Sequence, residues 1–175
     1  QGTPIPTPPE VKPTPEAEYF YVGTTMSFAS YMEDLGLIYR EGGEVADPYA
    51  SVKAHGANIV RLQLDRQPFA EYNGVTIDWQ QWDSVLEDAK MAKAEGLDIM
   101  LTLKPDYDKY SSTGAQHNNI PEDWKSLDEK TLGGELHDWV FDTLMALHNE
   151  GIDPAIIAVG NEVNLGFLYN GSYDA

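Results

Sequence analysis

The chain lacks cysteine and is poor in basic residues. Its 175 residues contain no Cys, and 11 Lys plus Arg stand against 29 Asp plus Glu, which gives a formal net charge of −18. The missing thiols exclude disulfides, thiolate metal sites and a cysteine nucleophile. The excess of negative charge argues against nucleic-acid and anionic-membrane partners, because an acidic surface repels both.

Several functional motifs are missing as well. No apolar run approaches the roughly 20 residues that a bilayer-spanning helix needs, so we predict no membrane-spanning segment. The sequence contains no Gly-x-Ser-x-Gly, no phosphate-binding loop and no dinucleotide fingerprint, which removes the serine hydrolase and nucleotide-cofactor interpretations. The four histidines show no metal-ligand spacing. We therefore predict neither a cofactor nor a metal.

The first 16 residues differ in composition from the rest. They contain six of the eleven prolines, and such a stretch favours an extended, solvated spacer over a packed fold. We predict a Pro-rich linker over residues 1–16 and one domain over residues 17–175. A linker of this kind is typical of a secreted or surface-tethered protein.

One pattern occurs three times in the domain: an amphipathic helical stretch, a glycine that can end the helix, and a short apolar run. The three copies are centred on Gly56, Gly96 and Gly151. A β-rich run over 19–23 precedes them and predicts a first strand. Helix starts are predicted at Asp47-Pro48 and at Asp78, because Asp caps a helix and Pro suits its first turn.

Alternating helices and apolar strands predict an α/β fold with a parallel sheet. Two architectures fit: an open doubly wound sheet, or the first four strands of a TIM (β/α)8 barrel. A closed barrel takes roughly 250 residues, and this chain supplies four strands and three helices. Since no helix follows the last strand, at 156–159, we predict half of a barrel, truncated.

Polar residues follow the predicted strands at their carboxyl ends, where both architectures place ligands. They are Arg61 in the second strand, Lys104, Asp106, Tyr107 and Asp108 after the third, and Asn161, Glu162 and Asn164 after the fourth. In a partly desolvated cleft mouth Glu162 would have a raised pKa, which suits a general acid. The alternative is that Glu162 starts a solvated loop and that Asn161 caps a turn.

Four tryptophans could stack on sugar rings. Trp82 and Trp139 follow helical spacing with apolar neighbours, so we predict that both lie in the core. For Trp124, in a loop, binding and packing remain equally good interpretations.

The segment GNEVNLGFLYNG resembles the strand-4 signature of glycoside hydrolase family 53, the arabinogalactan endo-β-1,4-galactanases. The segment from Gly23 to Leu64 resembles the opening of the same family, and together the matches cover Val22 to Gly171 in order. The resemblance implies a secreted, retaining glycosidase that hydrolyses β-1,4-galactan. It further implies Glu162 as general acid/base, Asn161 as the contact to the sugar 2-hydroxyl, and Arg61 as the residue that orients the nucleophilic carboxylate.

Further substrate contacts expected at the cleft are Asn164, Asp106, Tyr107, Tyr169 and Trp124. Three departures from the family pattern stand out. TLKPDYDKY replaces an Asp-Phe-His-Tyr-Ser-Asp-like run, Gln63 replaces an Arg, and Tyr169 replaces a Trp. The family's nucleophile is a Glu after the seventh strand, which this chain does not contain, so we expect the fragment alone to be inactive.

Two other hypotheses stay open. The chain could be a non-catalytic, carbohydrate-binding relative of the same fold, or an open α/β domain with an unrelated role. A half barrel also leaves sheet edges uncovered, which favours self-association of the chain.

Overall fold

The computed structural model describes residues 20–67, 80–111 and 114–168. In chain order the elements are β1 (Gly23–Thr25), α1 (Ala29–Asp34), β2 (Arg40–Glu41), β3 (Glu44–Val45), α2 (Pro48–Ala54), β4 (Ile59–Asp65), α3 (Trp82–Ala94), β5 (Asp98–Lys104), β6 (Tyr107–Ser111), β7 (Gly114–Asn119), α4 (Glu129–Asn149) and β8 (Ile156–Val159). Short 3-10 turns cover Glu122–Trp124 and Val163–Leu165.

Four of the strands form one parallel sheet in the order β1-β4-β5-β8. A doubly wound sheet reverses its strand order at a switch point and carries helices on both faces. Here each new strand is added on the same side of the previous one. This order is that of successive strands in a β/α barrel, and it confirms the predicted fold class.

The hydrophobic core lies on one face of this sheet. Leu62 and Leu101 are register partners in β4 and β5, and both are almost fully buried. They pack in one cluster with Tyr49 of α2, Val85 of α3 and Leu147 of α4. Since side chains alternate along a strand, the intervening positions of β4 and β5 point to the opposite face. That second face carries the candidate site.

The three predicted helix ends are confirmed. Gly56, Gly96 and Gly151 have φ of 96°, 65° and 71°, a region that glycine enters without steric cost. At each end the glycine N–H and the next N–H donate back to carbonyls of the last helical turn, the Schellman arrangement. The predicted start of α2 is also confirmed, because Asp47 accepts hydrogen bonds from the N–H groups of Tyr49 and Ala50.

Other boundaries differ from the prediction. The first strand is Gly23–Thr25 rather than 19–23, because the pairing with β4 begins at Gly23 opposite Ile59. Helix α3 begins at Trp82, later than the predicted start at Asp78, which lies outside the described residues. Helix α1 and the hairpins β2–β3 and β6–β7 were not predicted from the sequence.

The predicted linker at 1–16 also lies outside the described residues. Over the ranges that the structure describes, no helix combines the length and the apolar character needed to cross a bilayer.

Candidate active site

The face of the sheet opposite the core is polar near the carboxyl ends of the strands. Arg61, Gln63 and Asp65 alternate along β4, and Thr102 and Lys104 occupy matching positions on β5, where Gln63 pairs with Thr102 and Asp65 with Lys104. The last four of these side chains are buried, so each needs a polar partner to offset its desolvation. The partners form a hydrogen-bonded network.

Arg61 is the centre of the network. Its Nε donates to Oγ1 of Thr102 at 2.9 Å. Its second terminal nitrogen donates to Oδ1 of Asn161 at 2.8 Å and to Oε1 of Gln63 at 3.3 Å. Three neighbouring groups therefore hold the planar guanidinium in one orientation. Because Asn161 accepts with its amide oxygen, its amide nitrogen is the atom left to donate to a ligand.

The Asn161-Glu162 pair forms a tight turn at the end of β8. The N–H of Gly160, just before it, donates to the carbonyl of Leu103 at 2.7 Å and ties the turn to β5. Glu162 itself has φ 53° and ψ 38°, a left-handed conformation that is rare for residues other than glycine and asparagine. Its carbonyl accepts a hydrogen bond from Nδ2 of Asn118 at 3.0 Å.

The side chain of Glu162 is exposed. The expectation of a partly desolvated carboxyl is therefore wrong for the described structure. The physical reason is the position of β8 at the edge of the sheet, where no further strand of the described residues lies beside the turn.

A buried ion pair lies at the end of β5. Nζ of Lys104 is 3.0 Å from Oδ2 of Asp106, and their side chains are 4% and 0% exposed. Oδ1 of Asp106 is also buried and makes no hydrogen bond within the described residues. The structure thus places Asp106 beneath the surface as the counter-ion of Lys104, rather than open to a ligand.

Trp124 is likewise covered. It is 2% exposed, and the guanidinium carbon of Arg66 lies 3.9 Å from its ring centroid, a cation–π contact. Arg66 also binds the carboxylate of Asp123 through two nitrogens, at 2.6 and 3.3 Å. These bonds lower the pKa of Asp123. Of the two interpretations left open for Trp124, packing is the one that this arrangement favours.

The other candidate residues are distributed as follows. Asn164 is exposed in the 3-10 turn that follows Glu162. Tyr107 opens β6, with its side chain outside the described part, and Tyr169 lies outside the described residues altogether. Trp82 and Trp139 pack against the core, as predicted.

Sequence reasoning missed two contributors to the site. Gln80, two residues before the start of α3, is hydrogen-bonded to the side-chain amide of Gln63. Asn118, from β7, contacts Glu162 although 44 residues separate them. The only signal for Asn118 was a paired Asn-Asn in a polar stretch, which by itself is typical of a turn.

No cluster of three or more His, Asp or Glu side chains able to bind a metal occurs within residues 20–67, 80–111 and 114–168.

Comparison with known proteins gives one consistent family. The model of glycosyl hydrolase family 53 matches residues 21–174. An arabinogalactan endo-beta-1,4-galactanase of Cellvibrio japonicus is 31% identical over 152 residues, which cover 85% of this chain and 38% of that protein. The enzyme of the same name from Thermothelomyces thermophilus is also 31% identical, over 85% of this chain and 42% of its own length.

Solved structures agree. A GH53 catalytic domain of Ignisphaera aggregans matches with a TM-score of 0.74 over 93% of this chain and 45% of its own, at 24% identity; at that identity the match shows the fold alone. A structure from a study of two fungal beta-1,4-galactanases has a TM-score of 0.71 at 27% identity, covering 88% of this chain and 44% of that one. The chain spans less than half the length of these relatives. With its match from residue 21 to residue 174, its half-barrel sheet and its Asn-Glu turn after the fourth parallel strand, the chain belongs to glycosyl hydrolase family 53.

Proposed function

We propose that this chain supplies the acid/base half of the active site of a retaining endo-β-1,4-galactanase. The observation that carries the proposal is the hydrogen bond from Arg61 to Asn161. It holds the Asn-Glu turn at the carboxyl end of the parallel sheet, which is where β/α-barrel enzymes place their catalytic groups. The relatives named above as galactanases support β-1,4-galactan as the substrate.

The proposed reaction has two steps. Glu162 protonates the glycosidic oxygen while a second carboxylate attacks the anomeric carbon, and Glu162 then removes a proton from the water that hydrolyses the glycosyl-enzyme. Retention requires the two carboxyl groups to lie about 5 to 5.5 Å apart. We assign the nucleophile to a Glu outside this chain, after the seventh strand of a complete barrel, as the family resemblance implies. Arg61 orients that carboxylate, and the positive charge of Arg61 keeps the carboxylate ionised.

Substrate contacts are proposed around this acid. The Nδ2 group of Asn161 donates to the 2-hydroxyl of the sugar, where a hydrogen bond strengthens in the transition state. Exposed Asn164 binds a neighbouring sugar, and Tyr107 and Tyr169 offer rings for stacking. Asp106 and Trp124 are buried, so they contribute indirectly. Asp106 holds Lys104 in place, and Trp124 holds Arg66.

The test compares four polysaccharides with the same backbone linkage. In this and all the kinetic tests below, the parent protein is the complete barrel, which joins this chain to the half that carries the nucleophile. It is incubated separately with β-1,4-galactan, cellulose, β-1,4-xylan and β-1,4-mannan, and reducing ends are counted. The proposal expects new reducing ends from galactan alone, in a ladder of oligosaccharides typical of endo cleavage. Hydrolysis of another polymer in preference to galactan would contradict the substrate assignment.

A non-catalytic, galactan-binding role is the second candidate. It is favoured by the Lys104–Asp106 pair, which occupies the strand end where the family pattern has Asp-Phe-His. This role predicts saturable binding of galactan without new reducing ends, and binding that survives Glu162→Gln.

The Arg61 network gives a prediction of its own. Arg61→Lys keeps the charge but replaces the planar guanidinium with a single ammonium group. One ammonium cannot reproduce the bonds that two guanidinium nitrogens make to Thr102, Gln63 and Asn161. We expect kcat on galactan to fall about tenfold to a hundredfold, because the Asn-Glu turn loses the bond that holds it. A tenfold loss corresponds to about 1.4 kcal/mol. Arg40→Lys, at an exposed site in the β2–β3 hairpin, is the control and should keep full activity. An unchanged kcat in Arg61→Lys would contradict the positioning role of the network.

The exposed edges of the sheet favour self-association. Apolar side chains at least 40% exposed lie in the C-terminal half of α4, in β8 and in the turn after β8; they are Phe141, Met145, Ile157, Val159, Val163 and Phe167. Exposed apolar surface of this kind marks an interface or an aggregation site. We expect the weight-average mass in sedimentation to rise with protein concentration, and a monodisperse monomer across the concentration range would count against this proposal.

We also propose that the protein is secreted or tethered to the cell surface. The support is the Pro-rich composition of residues 1–16 and the polymeric substrate, which is too large to enter a cell intact. Detection of the protein in the culture fluid or on intact cells tests the assignment, and its confinement to the cytoplasm would contradict it.

A further inference from the structure

The conformation of Glu162 is unusual for its residue type. With φ 53° and ψ 38°, its backbone lies in the left-handed region. There the Cβ of an L-residue crowds the following carbonyl oxygen, and only asparagine and aspartate tolerate this at all often. Such a conformation persists only when neighbouring groups hold it. The angle φ sets the Cα–Cβ bond relative to the preceding peptide, and ψ sets it relative to the following one. Groups that hold both angles therefore limit the region that the Glu162 carboxyl group can reach.

Three hydrogen bonds hold the turn on its two sides. Before Glu162, the N–H of Gly160 donates to the carbonyl of Leu103 in β5, and the side-chain oxygen of Asn161 accepts a hydrogen bond from Arg61 of β4. After the Glu162 Cα, the carbonyl accepts from Asn118 of β7 at 3.0 Å. Because ψ of a residue sets the direction of its carbonyl, the Asn118 bond is the one of these three that acts on ψ of Glu162.

Asn118 is built for this contact. Its side chain is 1% exposed, and its own φ is 59°, in the region that asparagine tolerates better than other non-glycine residues. Strand β7, which carries it, also contacts the 3-10 turn after Glu162. The β6–β7 hairpin thus contacts the Asn161-Glu162 turn through the buried side-chain amide of Asn118.

We propose that Asn118 is a positioning residue for Glu162: its amide holds the Glu162 carbonyl and thereby directs the carboxyl group at the glycosidic oxygen. The inference rests on the proposed role of Glu162 as acid/base. It assigns a function to the β6–β7 hairpin, which couples to the chemical step through backbone geometry rather than through contact with the sugar.

Two substitutions separate the hydrogen bond from the conformation of Asn118 itself. Asn118→Gly removes the amide but accepts a positive φ freely. Asn118→Asp keeps a residue that tolerates the left-handed region, but an ionised carboxylate has no N–H to donate. Asn149→Asp, at the exposed end of α4, is the matched control for the same chemical change.

Kinetics on β-1,4-galactan give the first measurement. Both Asn118 variants should lower kcat about tenfold with KM changed less than about twofold, because substrate contacts remain while the acid is misdirected. Asn118→Asp buries a carboxylate and should lower the thermal midpoint more than Asn118→Gly does, so kinetics are measured below the midpoint of each variant. Asn149→Asp should match the parent in all respects. A kcat equal to that of the parent, or an effect confined to KM, would overturn the inference.

A spectroscopic measurement decides the point without turnover. Backbone ¹³C and ³J couplings of Glu162 in the labelled protein report its φ and ψ. The inference expects a left-handed Glu162 in the parent and in Asn149→Asp, and a shift toward other conformations in both Asn118 variants. Unchanged couplings in the variants would overturn it. If the parent fails to hydrolyse galactan, the proposed function fails for this chain, while the couplings still decide the role of Asn118.

Discussion

Glu162→Gln should abolish galactan hydrolysis, with a loss of at least about 1,000-fold in kcat, at the level expected when the proton donor for a poor leaving group is removed. A glutamine amide has nearly the same shape as the carboxyl group but cannot transfer a proton. Galactan binding should therefore remain within about threefold of the parent. Reducing-end release and titration calorimetry on the same samples provide the two measurements.

The control for this substitution is Glu135→Gln, which makes the same change at an exposed position of α4. It should leave hydrolysis and binding at parent levels. Retained hydrolysis in Glu162→Gln would remove Glu162 from the reaction, and lost binding would show that the carboxyl group acts in substrate recognition instead.

Asp88→Asn should change how the stability of the protein depends on pH. Asp88 of α3 is fully buried, and Oδ1 accepts a hydrogen bond from the N–H of Ser30 at 2.9 Å. Burial raises the pKa of Asp88 from 3.8 to about 6, against the opposing effects of hydrogen bonds from Ser30 and Tyr49. The buried carboxyl group is thus held more readily in its neutral form than it is in the unfolded chain.

The direction of the effect follows from this shift. An acid whose pKa is higher in the folded state contributes stability that is complete below about pH 4 and is lost as the pH rises through about 6. At 1.36 kcal/mol per pKa unit, the loss amounts to about 3 kcal/mol. Since asparagine stays neutral and still offers an oxygen to Ser30, Asp88→Asn should remove this part of the pH dependence.

Urea denaturation at pH 4.5 and pH 7.5 measures the difference. The free energy of unfolding of Asp88→Asn relative to the parent should rise by about 2 kcal/mol between the two pH values, because about a third of the total loss has already occurred at pH 4.5. Asp83→Asn, at an exposed position on the same helix, should show no such change. Parallel pH profiles for the parent and Asp88→Asn would mean that the buried carboxyl group titrates as it does in the unfolded chain.

Local signals in the sequence predicted most of the fold. Gly56, Gly96 and Gly151 end their helices because glycine alone enters the left-handed region freely, and that preference is visible in the sequence. Asp47 before Pro48 marked the start of α2, because an Asp side chain accepts hydrogen bonds from the first N–H groups of a helix. The β6–β7 hairpin was not predicted, since its polar strands lack the apolar alternation that indicates a half-buried sheet.

The candidate site was predictable only in part. Asn161 and Glu162 follow the end of β8, and Arg61 lies within β4 on the polar face of the sheet, so the topology brings them together. The partners that orient them are different, because contacts such as Asn118 to Glu162 join residues far apart in sequence. Burial of Asp106 was equally hidden, because a Lys and an Asp two residues apart give no sign of whether they face solvent or each other.

The acid/base role of Glu162 is tested most directly by chemical rescue of Glu162→Ala. A 2,4-dinitrophenyl β-galactotrioside has a leaving group that needs no protonation, so the first step should survive the substitution, and the glycosyl-enzyme should then accumulate for lack of a general base. Azide, a nucleophile that needs no base, should accelerate turnover at least tenfold and yield a galactosyl azide of retained β configuration. Equal losses on galactan and on the aryl substrate, with no response to azide, would contradict the role assigned to Glu162.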